Sequence, residues 1–273
     1  MKALHLVAGV SALALMPLAA SAATEVELRD VAARVVVTPQ DRSDVELTVA
    51  YGSAQVPKIM LHTEGDKLVA DGKLKHAGCN SDGSARVPDI GTVAAADLPV
   101  INLKVPMDAK VDAGGATVGQ VGVSRTLELS QGGCGKWQVG DVSGDAEINI
   151  GGSGDVTAGK AGKVKVNIGG SGNYRATSAS GLEGNIGGNG NIVLDRIDGD
   201  SEINIGGSGN VTTTAGKIPH LKVNIAGSGN VKHGGEAGDV EVNIVGSGDV
   251  RIKTVTGRVS KSIMGSGHIV IGQ

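Results

Sequence analysis

EINIGGSGDV at residues 147–156 is followed by VNIGGSGNY (166–174), GNIGGNGNI (184–192), EINIGGSGNV (202–211), VNIAGSGNV (223–231), VNIVGSGDV (242–250) and, more loosely, SIMGSGHIV (262–270). The first Gly of each G-S-G (once G-N-G) serves as an anchor: Gly152, Gly170, Gly188, Gly207, Gly227, Gly246 and Gly265, at intervals of 18, 18, 19, 20, 19 and 19 residues. Self-similarity at a period of this size specifies a stacked solenoid, whose units bury their apolar residues only against their neighbours.

Equivalent residues of successive coils then lie one above another at about 4.8 Å. Two places before the anchor stand Ile150, Ile168, Ile186, Ile205, Ile225, Ile244 and Ile263. Four places before it stand Ile148, Val166, Gly184, Ile203, Val223, Val242 and Lys261. These mostly apolar columns alternate with polar ones, and a period of two is a strand signal with one face buried. The outward column between them is Asn149, Asn167, Asn185, Asn204, Asn224 and Asn243. After the anchor, Gly, Ser and Asn/Asp are read as corner residues that tolerate positive φ. Four places past it Val156, Tyr174, Ile192, Val211, Val231, Val250 and Ile269 resume the core.

Each unit is therefore strand, Gly corner, strand, loop. A helical solenoid is excluded because Gly, Asn, Val and Ile dominate and no 3.6-residue stripe persists. A left-handed hexapeptide coil is excluded for want of a six-residue sub-period. The expectation is an all-β, right-handed parallel β-helix with rungs of 18–20 residues.

Residues 1–22 read as a secretory leader: Lys2, an apolar run from Leu4 to Ala19, and Ala20-Ser21-Ala22 as the cleavage site. The remaining chain is expected to be exported, with no later stretch long and apolar enough to span a membrane. A formal net charge of -3 without basic runs argues against nucleic acid as a partner. An oxidising compartment would pair Cys79 with Cys134, the latter in a GGCGKW corner one period before Gly152. The rival for Cys79 is a metal site with His76 in H-x-x-C, which lacks a second ligand pair.

Residues 23–97 read as less regular capping rungs with a surface-loop insertion at 76–97, continuous with regular rungs over 98–273 in one domain. Asp66 to Leu74, INLKVPMDAKVDAGG (101–115) and the serial N-I-G-G-S-G-[N/D]-V phrases resemble the secreted bacterial head GIN domain family. Its description is "putative auto-transporter adhesin". The resemblance implies a β-helix and a role at the cell envelope or surface.

Three sharper chemistries fit the residues less well. The G-G-S-G-D phrase suggests calcium loading, but the column Asp155, Asn173, Asn191, Asn210, Asn230, Asp249, His268 holds only two carboxylates. A near P-loop at Gly154–Lys160 is followed by Ala161 and no helical pattern. A polysaccharide-cleaving site would need clustered carboxylates, and Asp195, Arg196 and Asp198 form the least unsuitable group. The expected function is that of a non-enzymatic envelope protein without a cofactor, acting by contact with a surface polymer or envelope protein. The alternative is a polysaccharide-active β-helix enzyme. The Asn149–Asn243 column is either a binding stripe or a solvated face, and end-to-end self-association is left open.

Overall fold

The computed structural model describes residues 23–272 and the two-residue strand Leu18–Ala19, which runs antiparallel to Glu46–Ala50. The leader expected at 1–22 otherwise lies outside the described residues. The chain is a parallel β-solenoid of about 9 turns.

The columns stack as the sequence phrases align. Ile150, Ile168, Ile186, Ile205, Ile225, Ile244 and Ile263 are register partners in order. All are buried until Ile263, which is 39% exposed because no coil follows it among the described residues. Val156, Tyr174, Ile192, Val211, Val231, Val250 and Ile269 form the opposite wall in the same fashion. Packed between the two walls, each buried aliphatic side chain contributes roughly 1.5 to 3 kcal/mol.

The glycines do a different job from the one expected of corner residues. Positive φ occurs at only two of the seven anchors, Gly246 and Gly265, and nowhere in the Asp155-to-His268 column. A Cβ on Gly170 would lie 2.1 Å from the carbonyl oxygen of Gly152, and one on Gly188 would lie 2.0 Å from that of Gly170. Glycine is required because each corner presses on the backbone of the corner before it, and a methyl group cannot fit between them.

The N-terminal region departs from simple rung order. Strand Glu25–Gln40 is not at the end of the stack. Its near side pairs in parallel with Asp108–Val121, and its far side with Lys67–Asp71 and Val100–Pro106. The chain thus lays down one coil, doubles back above it, and then returns below it to start the regular series. The terminal coil is closed by two antiparallel strands, Met60–Glu64 on Lys67–Asp71 and Glu46–Ala50 on Val100–Pro106. Antiparallel neighbours can be reached by short connections, whereas another parallel rung would need a full circuit.

Residues 76–97, read as a surface loop, are ordered. Gly78–Cys79, Ala85–Val87 and Gly91–Val93 form a three-stranded antiparallel sheet, followed by a 3-10 turn at Ala95–Asp97. Ala85, Val87, Val93 and Leu98 pack with Leu74, Ala32 and Ala116 in a second, small core. A disulfide joins Cys79 in this flap to Cys134 in the solenoid wall, with Cα atoms 5.8 Å apart.

Candidate functional site

The outward Asn column is a continuous hydrogen-bonded ladder. Each side-chain amide donates to the carbonyl oxygen of the Asn one coil earlier: Asn167 to Asn149 at 2.7 Å, Asn185 to Asn167 at 2.9 Å, and Asn204 to Asn185 at 2.9 Å. Asn224 donates to Asn204 at 2.8 Å and Asn243 to Asn224 at 3.0 Å. The alternation that buries Ile203 and Ile205 turns Asn204 outward, and the in-register parallel pairing brings its neighbours within reach. An interior Asn of the ladder spends one N–H and one acceptor on its neighbours. A second N–H and a second lone pair remain for other partners.

Beside this ladder runs a column of small residues one place before each anchor, Gly187, Gly206 and Ala226, ending in Val245 and Met264. Between Asn185 and Val245 the Asn ladder on one side and the small-residue column on the other bound a shallow groove of about 450 Å³ whose surface is almost wholly apolar. Gly187 and Gly206 are exposed, and a Cβ there would meet only one atom, at 3.9 Å. These two glycines are not sterically required.

A second ladder went unrecognised in the sequence. Asn173 donates through its side chain to Asp155 at 2.8 Å, Asn191 to Asn173 at 2.8 Å, Asn210 to Asn191 at 2.9 Å and Asn230 to Asn210 at 2.9 Å. The same oxygens accept the backbone N–H of the following coil, as in Asn191 N to Asn173 at 3.1 Å. This column therefore fastens the start of each second strand, which replaces its reading as a set of left-handed corner residues. Its signal was present in the run of identical Asn, but the same residues are favoured in turns, and φ decided between the two.

The charged column is arranged for stacking. Lys165 meets Glu147 at 3.4 Å and Lys222 meets Glu202 at 3.3 Å. The like pair Glu183 and Glu202 is adjacent in register, and Lys163 approaches Glu183 at 3.6 Å. Exposed pairs of this kind are worth at most about 1 kcal/mol.

Residues considered for catalysis are engaged in ion pairs. Arg196 binds Asp198 through both carboxylate oxygens, and Arg175 binds Asp195 at 3.2 Å. The Arg196 guanidinium holds the Asp198 carboxyl below its ordinary range, the direction opposite to that of a general acid. Every described carboxylate with a clear shift moves down. Trp137 is buried and donates to Thr117 Oγ1 at 3.0 Å, so it is core and not a sugar platform. Tyr174 is likewise buried, which pushes its phenol up. No group of three or more metal-binding side chains occurs among the described residues, and the H-x-x-C alternative fails because Cys79 is bonded to Cys134.

Residues 175–272 match the family model "Putative auto-transporter adhesin, head GIN domain", the family that the repeat phrases resemble. No curated protein matches the chain. Among solved structures, a "putative adhesin" from Parabacteroides distasonis is 17% identical, with 94% of this chain and 96% of that one covered and a TM-score of 0.55. At this identity the likeness shows the fold alone. A "putative lipid binding protein" from the same species is 19% identical, covering 95% and 96%, with a TM-score of 0.47. A "putative adhesin" from Parabacteroides merdae is 15% identical, covering 97% and 98%, with a TM-score of 0.46. The last two scores are too low to carry an argument.

Proposed function

We propose that this chain, whose C-terminal repeats match the adhesin-type head GIN model, is an exported, non-enzymatic rod of the cell envelope or surface. It works by lateral contact along the groove beside the Asn ladder. The observation that carries this reading is the straight line of six Asn whose oxygens and amides are fixed by one another, flanked by exposed glycines that leave the rail open. Prior fixation lowers the entropy cost of binding, and a spacing of about 4.8 Å along the rail suits a hydroxyl-rich polymer lying parallel to the rod. Export is supported by the leader pattern and by a disulfide that fits an oxidising compartment.

The test fills the groove without touching the ladder. The double variant Gly187→Arg/Gly206→Arg places two bulky side chains where nothing opposes them. Its melting temperature should stay within a few degrees of the parent, and binding to whole cells or to a glycan array should be lost. Full binding by a folded double variant would remove the groove as the contact surface.

A further inference from the structure

A titratable side chain, His233, sits inside the apolar wall of the coil, away from the groove. The inward column Ala158, Ala176, Leu194 continues as Thr213, His233 and Ile252, each in register with the next. Thr213 is 3% exposed and His233 2%. His233 Nε2 lies 3.2 Å from the carbonyl oxygen of Glu236, and Nδ1 lies 2.5 Å from Thr213 Oγ1. A carbonyl only accepts, so Nε2 carries the hydrogen, and Nδ1 then accepts from the Thr213 hydroxyl. The two bonds therefore fix a neutral ring in one tautomer. Burial of both side chains puts them beyond the reach of a substrate, which sets aside a nucleophile and its base.

The ring also fastens a weak corner. Strand Asn210–Ile225 slips register against Asn230–Gly246 between Thr213 and Lys217, and Asn230–Gly246 slips against Val250–Val255 between His233 and Glu236. A Cβ on Gly235 would lie 2.1 Å from the Gly216 carbonyl oxygen and 2.9 Å from His233 Cε1, so the corner is tightly stacked on the coil below and on the ring. The bond from His233 to Glu236 spans the interruption from the inside. Charged side chains flank the ring on every strand around it, and none is buried with it. Glu236 is half-buried and is taken by Lys217, which is exposed, at 3.8 Å. Lys232 on the same strand, Arg251 and Lys253 above, and Asp195 and Arg196 two coils below are exposed. On the remaining side of these coils His220, Lys222 and Glu241 are exposed and Asp239 is half-buried, paired with Arg258. A proton on Nδ1 would thus be a charge placed in an apolar wall, and Thr213 would lose the acceptor for its hydroxyl.

We propose that His233 is an acid-sensitive latch: the neutral ring holds the corner Gly234–Glu236 closed, and protonation opens that corner while both Asn ladders stay paired. Burial pushes the imidazole below its ordinary value of 6.5. Above 6.5 the ring is neutral whether the corner is closed or open. Below it the open corner takes the proton first, so closure is lost as pH falls from 6.5 toward the lower value of the closed state. Amide exchange of the full chain, corrected for the intrinsic rate at each pH, tests this. Opening at residues 234–237 and 254–255 should rise about tenfold between pH 7.5 and 5.5, with residues 203–205 unchanged. Thr213→Val/His233→Leu, which restores an apolar column, should abolish the rise. His233→Gln keeps a donor for the Glu236 carbonyl and does not titrate, so it should do the same even if the double variant fails to fold. A flat profile in the parent, a rise that survives in either folded variant, or a rise shared by residues 203–205 would overturn the latch.

Discussion

The repeats from Ala146 to Val255 and the N-terminal region from Ala23 to Pro106 solve one problem in two ways. Every repeat finds the partner for its edge in the next copy of itself, so Asn ladders run unbroken from coil to coil beside its exposed ion pairs, and its strands are all parallel. Among the described residues the N-terminal region has no next copy beyond it. It closes its edge with antiparallel strands and uses ion pairs between unlike segments, such as Arg29 with Glu64 at 3.0 Å and Lys67 with Asp112 at 2.8 Å. It is further held by a covalent tie through Cys79 and Cys134. Repetition lets one set of residues satisfy itself, whereas an end must be built from residues used once.

The largest effect that would test this contrast is a charge in the repeated core. Ile205→Asp, at a side chain 2% exposed, should cost more than about 4 kcal/mol and unfold the central coils, seen as loss of the cooperative melt. An unchanged melt would remove Ile205 from the core. Next comes the tie: replacing Cys79 and Cys134 with Ser opens a loop of 55 residues and should cost about 4 kcal/mol on the chain-entropy scale. If the two regions are distinct, limited proteolysis should then cut within 76–97 before it reaches the repeats.

The corner glycines allow a paired test. Gly188→Ala sets a methyl 2.0 Å from a backbone oxygen and should cost about 3 kcal/mol. Gly187→Ala, one residue away, should change stability by no more than about 0.5 kcal/mol. Equal effects would contradict the account of close approach. A single ladder break, Asn204→Ala, should cost about 1 kcal/mol as two hydrogen bonds become one-sided.

The mildest test is acid. Arg29, and after it His62, hold the Glu64 carboxyl down at about 2, against an ordinary 4.5. A depressed folded value contributes stability that is present above the unfolded value and lost as pH falls through the folded one. Between about pH 4.5 and 2 the pairing of Met60–Glu64 should therefore loosen while the uncharged ladders stay protected. Amide exchange in the two regions would show it, and simultaneous loss would deny the difference.

Much of the repeated half was readable because the stack converts sequence period directly into spatial column. Ile150 over Ile168 and Asn149 over Asn167 needed only alignment of the phrases. The same reading misjudged the glycines and the Asn173 column, since Gly and Asn suit both left-handed turns and tight stacking, and only the backbone φ and the carbonyl distances separate the two. It also missed that the exposed column before each anchor changes from Gly206 through Ala226 and Val245 to Met264, a trend visible in the sequence but without meaning until that face was known to be outward.

By itself the sequence determined the coil, its rung length and which residues form its walls, because those rest on local alternation repeated at a fixed interval. Tertiary structure alone decided that strand Glu25–Gln40 lies between segments that follow it and that 76–97 folds into a flap with its own core. Those features depend on contacts between residues that occur once, and a segment without a repeated partner leaves no periodic trace from which its neighbour can be read.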